Sequence, residues 1–516
     1  MGEWMNGFVE KLSKSRQEAL NGGGPERLAL MQKLGKLTAR QRIERLVDDA
    51  TFEEIGSLVK DSSQPFDGME RPSPSDGIVM GIARVNRRPV ALYSMDFTVM
   101  SGAIGDQAAW KLDDLTKMAG QMQIPIIGII DSAGERLSFK NGDSGFNGLS
   151  AFIRNYCRYS GVIPRIALLL GPCTGLMAAV PVLSDFLIIN QKSGFLWLGG
   201  DRTSADAGSA EFHMERSGQC DLIAESDEDA IEKIKILLDY IPQNCWQKPG
   251  RIETGDDPER REEDLLDIMP DDSKFTYDIH EIIERIVDNG DFFELKEDFA
   301  SHLVTGFARF GGHAVGIVAN NPDELSGILE PDASDKYDRF MMFLDAFNIP
   351  LLTLVDTTAF PPGDRWERIG VIRHGAKLLH SYAHLTCPKV TIVLRRSYGG
   401  ANIVLGCSKM FPDFIYAWPT TEFAPTGPET VVHAVFHKEL AKAKAEGNYD
   451  ETYNFFLSIL KEQFSVMNLA KTWTSYYTAH EVIDPRDTRS RIFRAIEAIR
   501  HKHEALPEKK RSIKPA

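Results

Sequence analysis

No stretch of this 516-residue chain approaches the roughly 20 apolar residues of a membrane span. Its first dozen residues carry charges where a secretory leader needs an apolar core. The six cysteines (157, 173, 220, 245, 387 and 407) contain no CxxC pair and are joined by no His cluster at ligand spacing. Neither a metal site nor a disulfide framework is therefore expected, and free thiols in a reducing, cytoplasmic setting are. No Ser-His-Asp set, HExxH or paired-carboxylate constellation emerges. Positive charge is short as well: 59 Lys and Arg against 74 Asp and Glu leave a formal charge of -15. That balance argues against wrapping nucleic acid or lying on an anionic membrane. It permits an anionic small ligand held by local Arg and Lys.

What is present is a repeat. Gly81-Ile-Ala-Arg84 recurs as Gly306-Phe-Ala-Arg309, and Ser101-Gly102 as Ser326-Gly327, at an offset of 225 residues. Gln123-Ile-Pro125 followed by Asp131 recurs as Asn348-Ile-Pro350 followed by Asp356. At the same offset Thr174-Gly175-Leu176 falls on Gly399-Gly400-Ala401. Landmarks in register over this length imply a duplicated unit. The length is too great for one core, so two halves are expected, 1–262 and 263–516. The acidic, Pro- and Gly-broken stretch Arg251–Lys274 between them reads as the linker.

Residues 1–60 predict helices. After a loop over Asp61–Asp76, Ile78–Ala83 and Pro89–Met95 predict paired strands around Asn86-Arg87-Arg88. A helix over Ala108–Met122 leads to the apolar runs Pro125–Ile130, Ile166–Leu170 and Phe186–Ile189, which suit buried parallel strands. A helix over Asp227–Tyr240 closes the first half. The second half repeats the order: strands Leu303–Ala308 and Ala314–Val318, helix Lys336–Phe347, strand Leu351–Val355, helix Val371–His384 and strand Val390–Leu394. From Thr430 the tail is mostly helical. Strands alternating with helices make both halves α/β.

Each copy carries a strand, a glycine turn and a helix start: Leu168 to Gly175, and Val393 to Ala401. Neither turn fits GxGxxG or a Walker loop. Glycine lets backbone approach a ligand closely, and unpaired N–H groups at such a turn can donate to a developing oxyanion. A tight strand–helix junction alone would also need glycine. The matched placement in both copies favours paired oxyanion sites.

The segments Asp131-Ser-Ala-Gly-Glu-Arg136, Tyr159-Ser-Gly-Val-Ile-Pro164, Gly171-Pro-Cys-Thr-Gly175, Ala346-Phe-Asn-Ile-Pro350, Arg373-His-Gly-Ala-Lys-Leu-Leu379 and Tyr398-Gly-Gly-Ala401 together resemble the carboxyltransferase family of biotin-dependent acyl-CoA carboxylases. That family includes propionyl-CoA carboxylase β and methylmalonyl- and glutaconyl-CoA decarboxylase α subunits. The resemblance implies two tandem crotonase-like (ClpP/crotonase, ββα-superhelix) domains, an acyl-CoA held by the N half and carboxybiotin by the C half. It implies a homo-oligomer, a hexamer in many members, with sites where the N half of one subunit meets the C half of another. Carried over by position, the amides of Gly175 and Leu176 would polarise the thioester carbonyl, and those of Gly400 and Ala401 the ureido carbonyl of biotin. Ala133, Gly134, Gly208, Ser209, Arg40 and Asn402 would line the substrate sites. The chain has no Ala-Met-Lys-Met sequence, so biotin would arrive on a biotin carboxylase or carrier subunit. The alternatives are a carboxyacyl-CoA decarboxylase, or a biotin-independent decarboxylase or acyltransferase.

This sequence departs from the family pattern at Leu176, where a second glycine is common, and at Asp356-Thr-Thr-Ala-Phe360. It departs again at Asn402, usually Tyr, and at Thr426-Gly-Pro-Glu-Thr430. Glu135 and Arg136 are substrate contacts or a surface ion pair. His213 is a general acid–base group or a solvated loop histidine. Arg395 and Arg396 are anion readers or a cap. Cys173 reads as a packed thiol, and Arg40 and Arg42 as CoA-phosphate contacts or an exposed helix face.

Overall fold

The computed structural model describes residues 2–61, 64–65, 72–136, 138–139, 147–201, 206–271, 275–407, 410, 412–465 and 478–515. Half of the loop expected over 61–76 and part of the expected linker, 272–274, lie outside these residues. The chain divides into two compact units, Met1–Gln247 and Lys248–Ala516. Among the described residues no helix is long and apolar enough to cross a membrane.

In the first unit, helices Gly2–Leu20, Pro25–Lys33 and Ala39–Leu46 lead into an eight-stranded sheet. The third helix starts with a reciprocal cap between Thr38 and Gln41. The strands are β1 (Glu53–Ile55), β2 (Ile78–Val85), β3 (Arg88–Met95), β4 (Ile126–Ser132), β5 (Arg165–Cys173), β6 (Phe186–Asn190), β7 (Phe195–Leu196) and β8 (Leu222–Ala224). They run in the order β1-β2-β3-β4-β5-β6-β8, with β7 paired to β5. β2 and β3 form a hairpin in which Val85 faces Arg88. Its two loop residues, Asn86 and Arg87, both take positive φ (49° and 64°), the turn whose twist suits a hairpin. From β3 onward the neighbours pair in parallel. Every residue of β4 is buried, as expected of a strand covered on both faces. The helix Asp106–Met122 buries Leu112, Leu115 and Ala119 in the core cluster that also takes in Ile126, Ile130, Leu169 and Phe152. Each such fully buried Leu contributes about 1.5–3 kcal/mol.

The second unit repeats this programme with β9 (Phe293–Leu295), β10 (Leu303–Phe310), β11 (His313–Asn320), β12 (Leu351–Thr357), β13 (Lys389–Tyr398), β14 (Phe414–Ala417), β15 (Glu422–Ala424) and β16 (Glu481–Val482). Their order is β9-β10-β11-β12-β13-β14-β16, with β15 on β13. Gly311 and Gly312 turn its hairpin, again with positive φ at both positions (55° and 82°). The repeat reaches the backbone in detail. Ser101 and Ser326 share φ near 55° (55° and 56°), as do Gln123 and Asn348 (58° and 55°). Lys111 and Lys336 occupy the same place on equivalent helices and bury their ammonium groups on pairs of backbone carbonyls. Lys111 donates to Ser75 and Ile78 (2.7 and 2.6 Å), and Lys336 to Lys296 and Phe299 (both 2.8 Å).

Two sequence expectations change. The offset is 225 through Gly134/Ala359, whose carbonyls accept the N–H of Ile104 and of Leu329, but 224 from Arg165/Lys389 onward, because Ile126 pairs with Arg165 while Leu351 pairs with Lys389. Gly175 therefore corresponds to Gly399, Leu176 to Gly400, and Met177 to Ala401. The stretch expected as a linker is packed from its start. Ile252 N–H donates to Gly312 O (3.1 Å) and Arg251 Nε to Gly311 O (2.8 Å). Its acidic residues serve as counter-ions: Asp256 takes Arg260 (2.8 Å) and Arg489 (3.2 Å). The second unit thus begins at Lys248, inside the expected first half.

Candidate active site

β5 ends at Cys173, and Thr174 leads to Gly175 at φ 69°, a left-handed conformation that favours glycine. The Gly175 N–H donates to Leu198 O at 3.1 Å. The next N–H, on Leu176, has no acceptor among the described residues, and Leu176 is 43% exposed. The following one, on Met177, donates to Oε1 of Glu135 at 2.8 Å. Of the two amides proposed from sequence in this half, Leu176 is the one left to donate outward. Ala133 and Gly134 lie alongside. The Thr174 hydroxyl donates to Ala133 O (2.9 Å), and Gly134 N–H donates to Ser132 Oγ (3.1 Å). A cavity of about 560 Å³ opens here, lined by Ala133, Ser101, Glu135, Arg136 and the exposed Arg27, which sequence reasoning missed. That volume lies within the roughly 300–1,000 Å³ usual for small-molecule sites.

Beneath the turn, Asp131 is fully buried and takes Lys36 (2.8 Å) and Arg42 (3.0 Å). Arg42 also reaches Asp227 (2.8 Å) and Leu170 O (3.0 Å). The helical-face pattern around residues 37–46 concealed this, because a buried arginine and a solvated one leave the same spacing. Arg42, with no exposed surface, cannot meet a CoA phosphate. Arg40 forms a two-point ion pair with Glu54 (2.8 and 2.9 Å).

In the second unit Tyr398 leads to Gly399 at φ 62° and the helix Gly399–Val404. Gly400 is exposed and its N–H has no acceptor among the described residues, matching Leu176, while Ala401 is buried like Met177. A Cβ on Gly400 would press on the Phe360 ring at 3.3 Å. The turn opens on a cavity of about 590 Å³ lined by Phe360, Pro362, Arg396, Gly400, Glu422 and Thr426, among others. Asp356, the counterpart of Asp131, is neutralised from its own neighbour strand by Arg395 (2.9 Å) and Arg396 (2.7 Å). Both arginines so act as counter-ions. Tyr398 OH bonds Glu422, and burial together with that carboxylate pushes the phenol well up. Asn402 donates its amide to Ser397 Oγ (2.8 Å) and O (3.2 Å), tying the helix back to the strand end.

The remaining candidates make local contacts within the first unit. An added Cβ on Gly208 would fall on the Trp197 indole, and Ser209 caps the helix Ala210–Glu215 by accepting Phe212 N–H at 3.1 Å. His213 is buried rather than solvated. Its Nε2–H donates to Leu196 O (3.0 Å), which leaves Nδ1 to accept Ser217 (2.8 Å). Burial lowers its pKa, so the ring stays neutral. Arg136 pairs with Asp76 (2.6 Å) and Asp61 (2.9 Å). Burial pushes the Cys173 thiol far up, which suits packing and not attack. One pairing was passed over in the sequence: His380 and His384, one helical turn apart, both meet Ser512 Oγ (2.8 and 3.2 Å). Among the described residues no three His, Cys, Asp or Glu side chains gather as a metal site.

With this geometry in view, comparison with known proteins is informative. A carboxyl transferase domain model matches residues 31–513. The chain is 36% identical to the carboxyltransferase subunit of propionyl-CoA carboxylase from Haloferax mediterranei, over 98% of each chain. It is 34% identical to methylmalonyl-CoA decarboxylase subunit alpha of Veillonella parvula, over 97% of each. The crystal structure of transcarboxylase 12S, a hexamer with methylmalonyl-coenzyme A bound, superposes with a TM-score of 0.93 at 36% identity, covering 100% of both chains.

Proposed function

The chain belongs to the carboxyl transferase family, an enzyme built as two crotonase-like α/β domains, and from that premise we propose that it moves a carboxyl group between carboxybiotin and the α-carbon of an acyl-CoA. Propionyl-CoA and methylmalonyl-CoA are the substrate pair, as in the relatives' names. The observation that carries this reading is the pair of equivalent outward amides: Gly400 lines the cavity of its unit, and Leu176 directly precedes Met177, whose N–H bonds the cavity-lining Glu135. In the first unit the Leu176 N–H receives the thioester oxygen as the enolate forms. Ala133 and Gly134 line the way in, and Arg27 offers a cation for CoA phosphate in place of the occupied Arg40. In the second unit Gly400, with Ala401 behind it, receives the ureido oxygen of biotin. The fit there is sound: an apolar wall of Phe360 and Pro362 faces an amide without an acceptor. When bound, carboxybiotin supplies the CO₂ and a basic ring nitrogen. The chain's own task is to hold two developing oxyanions with preorganised donors.

Biotin comes on a separate carrier, and the copies assemble as a cytoplasmic hexamer like transcarboxylase 12S. Apolar side chains left exposed beside each turn support such assembly: Leu176, Val182 and Leu198 in the first unit, and Ile372, Leu379 and Ile403 in the second. The acyl-CoA side is assigned to the unit Met1–Gln247 and the biotin side to the unit Lys248–Ala516.

The test is carboxyl transfer from a carboxylated biotin carrier to a panel of acyl-CoAs, with and without avidin, followed by mass spectrometry. Transfer to propionyl-CoA that avidin blocks is the expected result. Turnover that avidin leaves untouched would overturn biotin dependence. G400P deletes one amide in the first helical turn, where the backbone tolerates proline, and its ring fills the close contact with Phe360. It is expected to lower kcat by about 100- to 1,000-fold, the cost of one oxyanion donor, with acyl-CoA affinity retained.

A further inference from the structure

The carboxyl-transfer scheme leaves one group at the first turn without a task. Glu135 follows β4 and lines the cavity of about 560 Å³ together with Ala133 and Ser101. Its Oε1 accepts the Met177 N–H at 2.8 Å, one residue beyond the outward amide of Leu176. Its Oε2 lies against Gly175, so closely that an added Cβ there would fall inside the carboxylate. The missing side chain of Gly175 is therefore the space that Glu135 occupies. The equivalent residue in the second unit, 225 positions on, is Phe360, which packs against Gly400. The duplicated site thus carries a carboxylate in one copy and an apolar ring in the other. A carboxylate beside a developing enolate oxygen gives no electrostatic help, so its presence needs a chemical reason.

We propose that Glu135 is a carboxylate base for the α-carbon of the acyl-CoA, which gives this chain an enolisation activity that needs no biotin. The inference rests on the acyl thioester lying at Leu176, as argued above. The Cα–H bond breaks, the proton passes to a carboxylate oxygen of Glu135, and the electron pair moves through the new C=C bond onto the thioester oxygen at the Leu176 N–H. Return of a proton from the Glu135 carboxyl to Cα completes the cycle. In heavy water the returned nucleus is deuterium. In the decarboxylating direction the Cα–COO⁻ bond breaks instead, CO₂ leaves with its electrons left in the enolate, and the protonated Glu135 quenches the carbanion at Cα.

The experiment incubates the full-length protein with propionyl-CoA in D₂O, with avidin present to remove biotin, and reads deuterium at the α-carbon by mass spectrometry. Steady α-deuteration is expected. E135Q keeps an oxygen for the Met177 N–H but has no base. It is expected to exchange at least about 100-fold more slowly, the scale of a lost general base, with unchanged propionyl-CoA binding by calorimetry. E135D is expected to fall between the two. Exchange by E135Q at the wild-type rate, or bound propionyl-CoA that gains no deuterium in the wild type, would overturn the role of Glu135 alone. No binding of propionyl-CoA would overturn the acyl-CoA reading beneath it.

Discussion

Two arginines two positions apart show how little a residue type says before its partners are known. Arg40 and Arg42 lie on one short helix, yet Arg42 is buried between Asp131 and Asp227 while Arg40 meets Glu54 where both side chains keep part of their surface. Removing a partner from a buried pair strands charge and costs about 3–5 kcal/mol, whereas an exposed pair is worth about 0–1 kcal/mol. R42A is therefore expected to lose several kcal/mol in urea unfolding followed by fluorescence, and R40A to stay within about 1 kcal/mol of the parent. His280 offers a second measurement at this scale. Its ring sits between Glu294 (2.8 Å) and Asp278 (2.6 Å), and the hydrogen bond to Glu294, seconded by Asp278, raises its pKa to about 9. The folded state then holds a proton that the unfolded chain releases near 6.5. That contribution is complete below pH 6.5 and fades as pH climbs through about 9. Substituting H280Q is expected to remove this decline, so the two stability curves converge by pH 9.5. Lys111 and Lys336 act with the opposite sign. Burial lowers them to about 8 and about 7, so stability rises with pH from those values toward the unfolded 10.5.

At the scale of elements, the two glycine turns separate conformational cost from steric cost. Gly175 and Gly399 have nearly the same φ, but only at Gly175 would a Cβ enter a carboxylate; at Gly399 it would meet Pro425 O at 3.4 Å. G399A is expected to pay the left-handed penalty alone, about 1–2 kcal/mol, and G175A visibly more. Adding E135A to G175A is expected to recover the difference, which a double-mutant cycle on thermal unfolding would reveal. The strands and long helices were legible because apolar runs and helical spacing follow from burial, which the residue types state directly. The helix Asp227–Tyr240 came out at both ends because Ser226 caps its start. The one-residue change of offset was not legible. It falls between Asp131 and Arg165, where no landmark repeats, and the pairing of β12 with β13 is what reveals it. The packed linker was missed for a related reason: acidic residues look solvated until Arg260 and Arg489 are seen beside them.

Taken whole, the molecule uses one plan twice but stabilises the two copies from different places. Each unit sets a buried aspartate where its strands end, below its turn. Asp356 finds both counter-charges on the adjoining strand, in Arg395 and Arg396. Among the described residues Asp131 finds them in Lys36 and Arg42, contributed by the leading segment before the sheet begins. The two halves should consequently differ as excised pieces. A fragment opening at residue 248 carries its own neutralising groups inward, whereas one opening at residue 47 would have to shut an anion into its interior or stay unfolded. The opening forty-odd residues are, in that sense, an ionic keystone handed to the sheet from upstream.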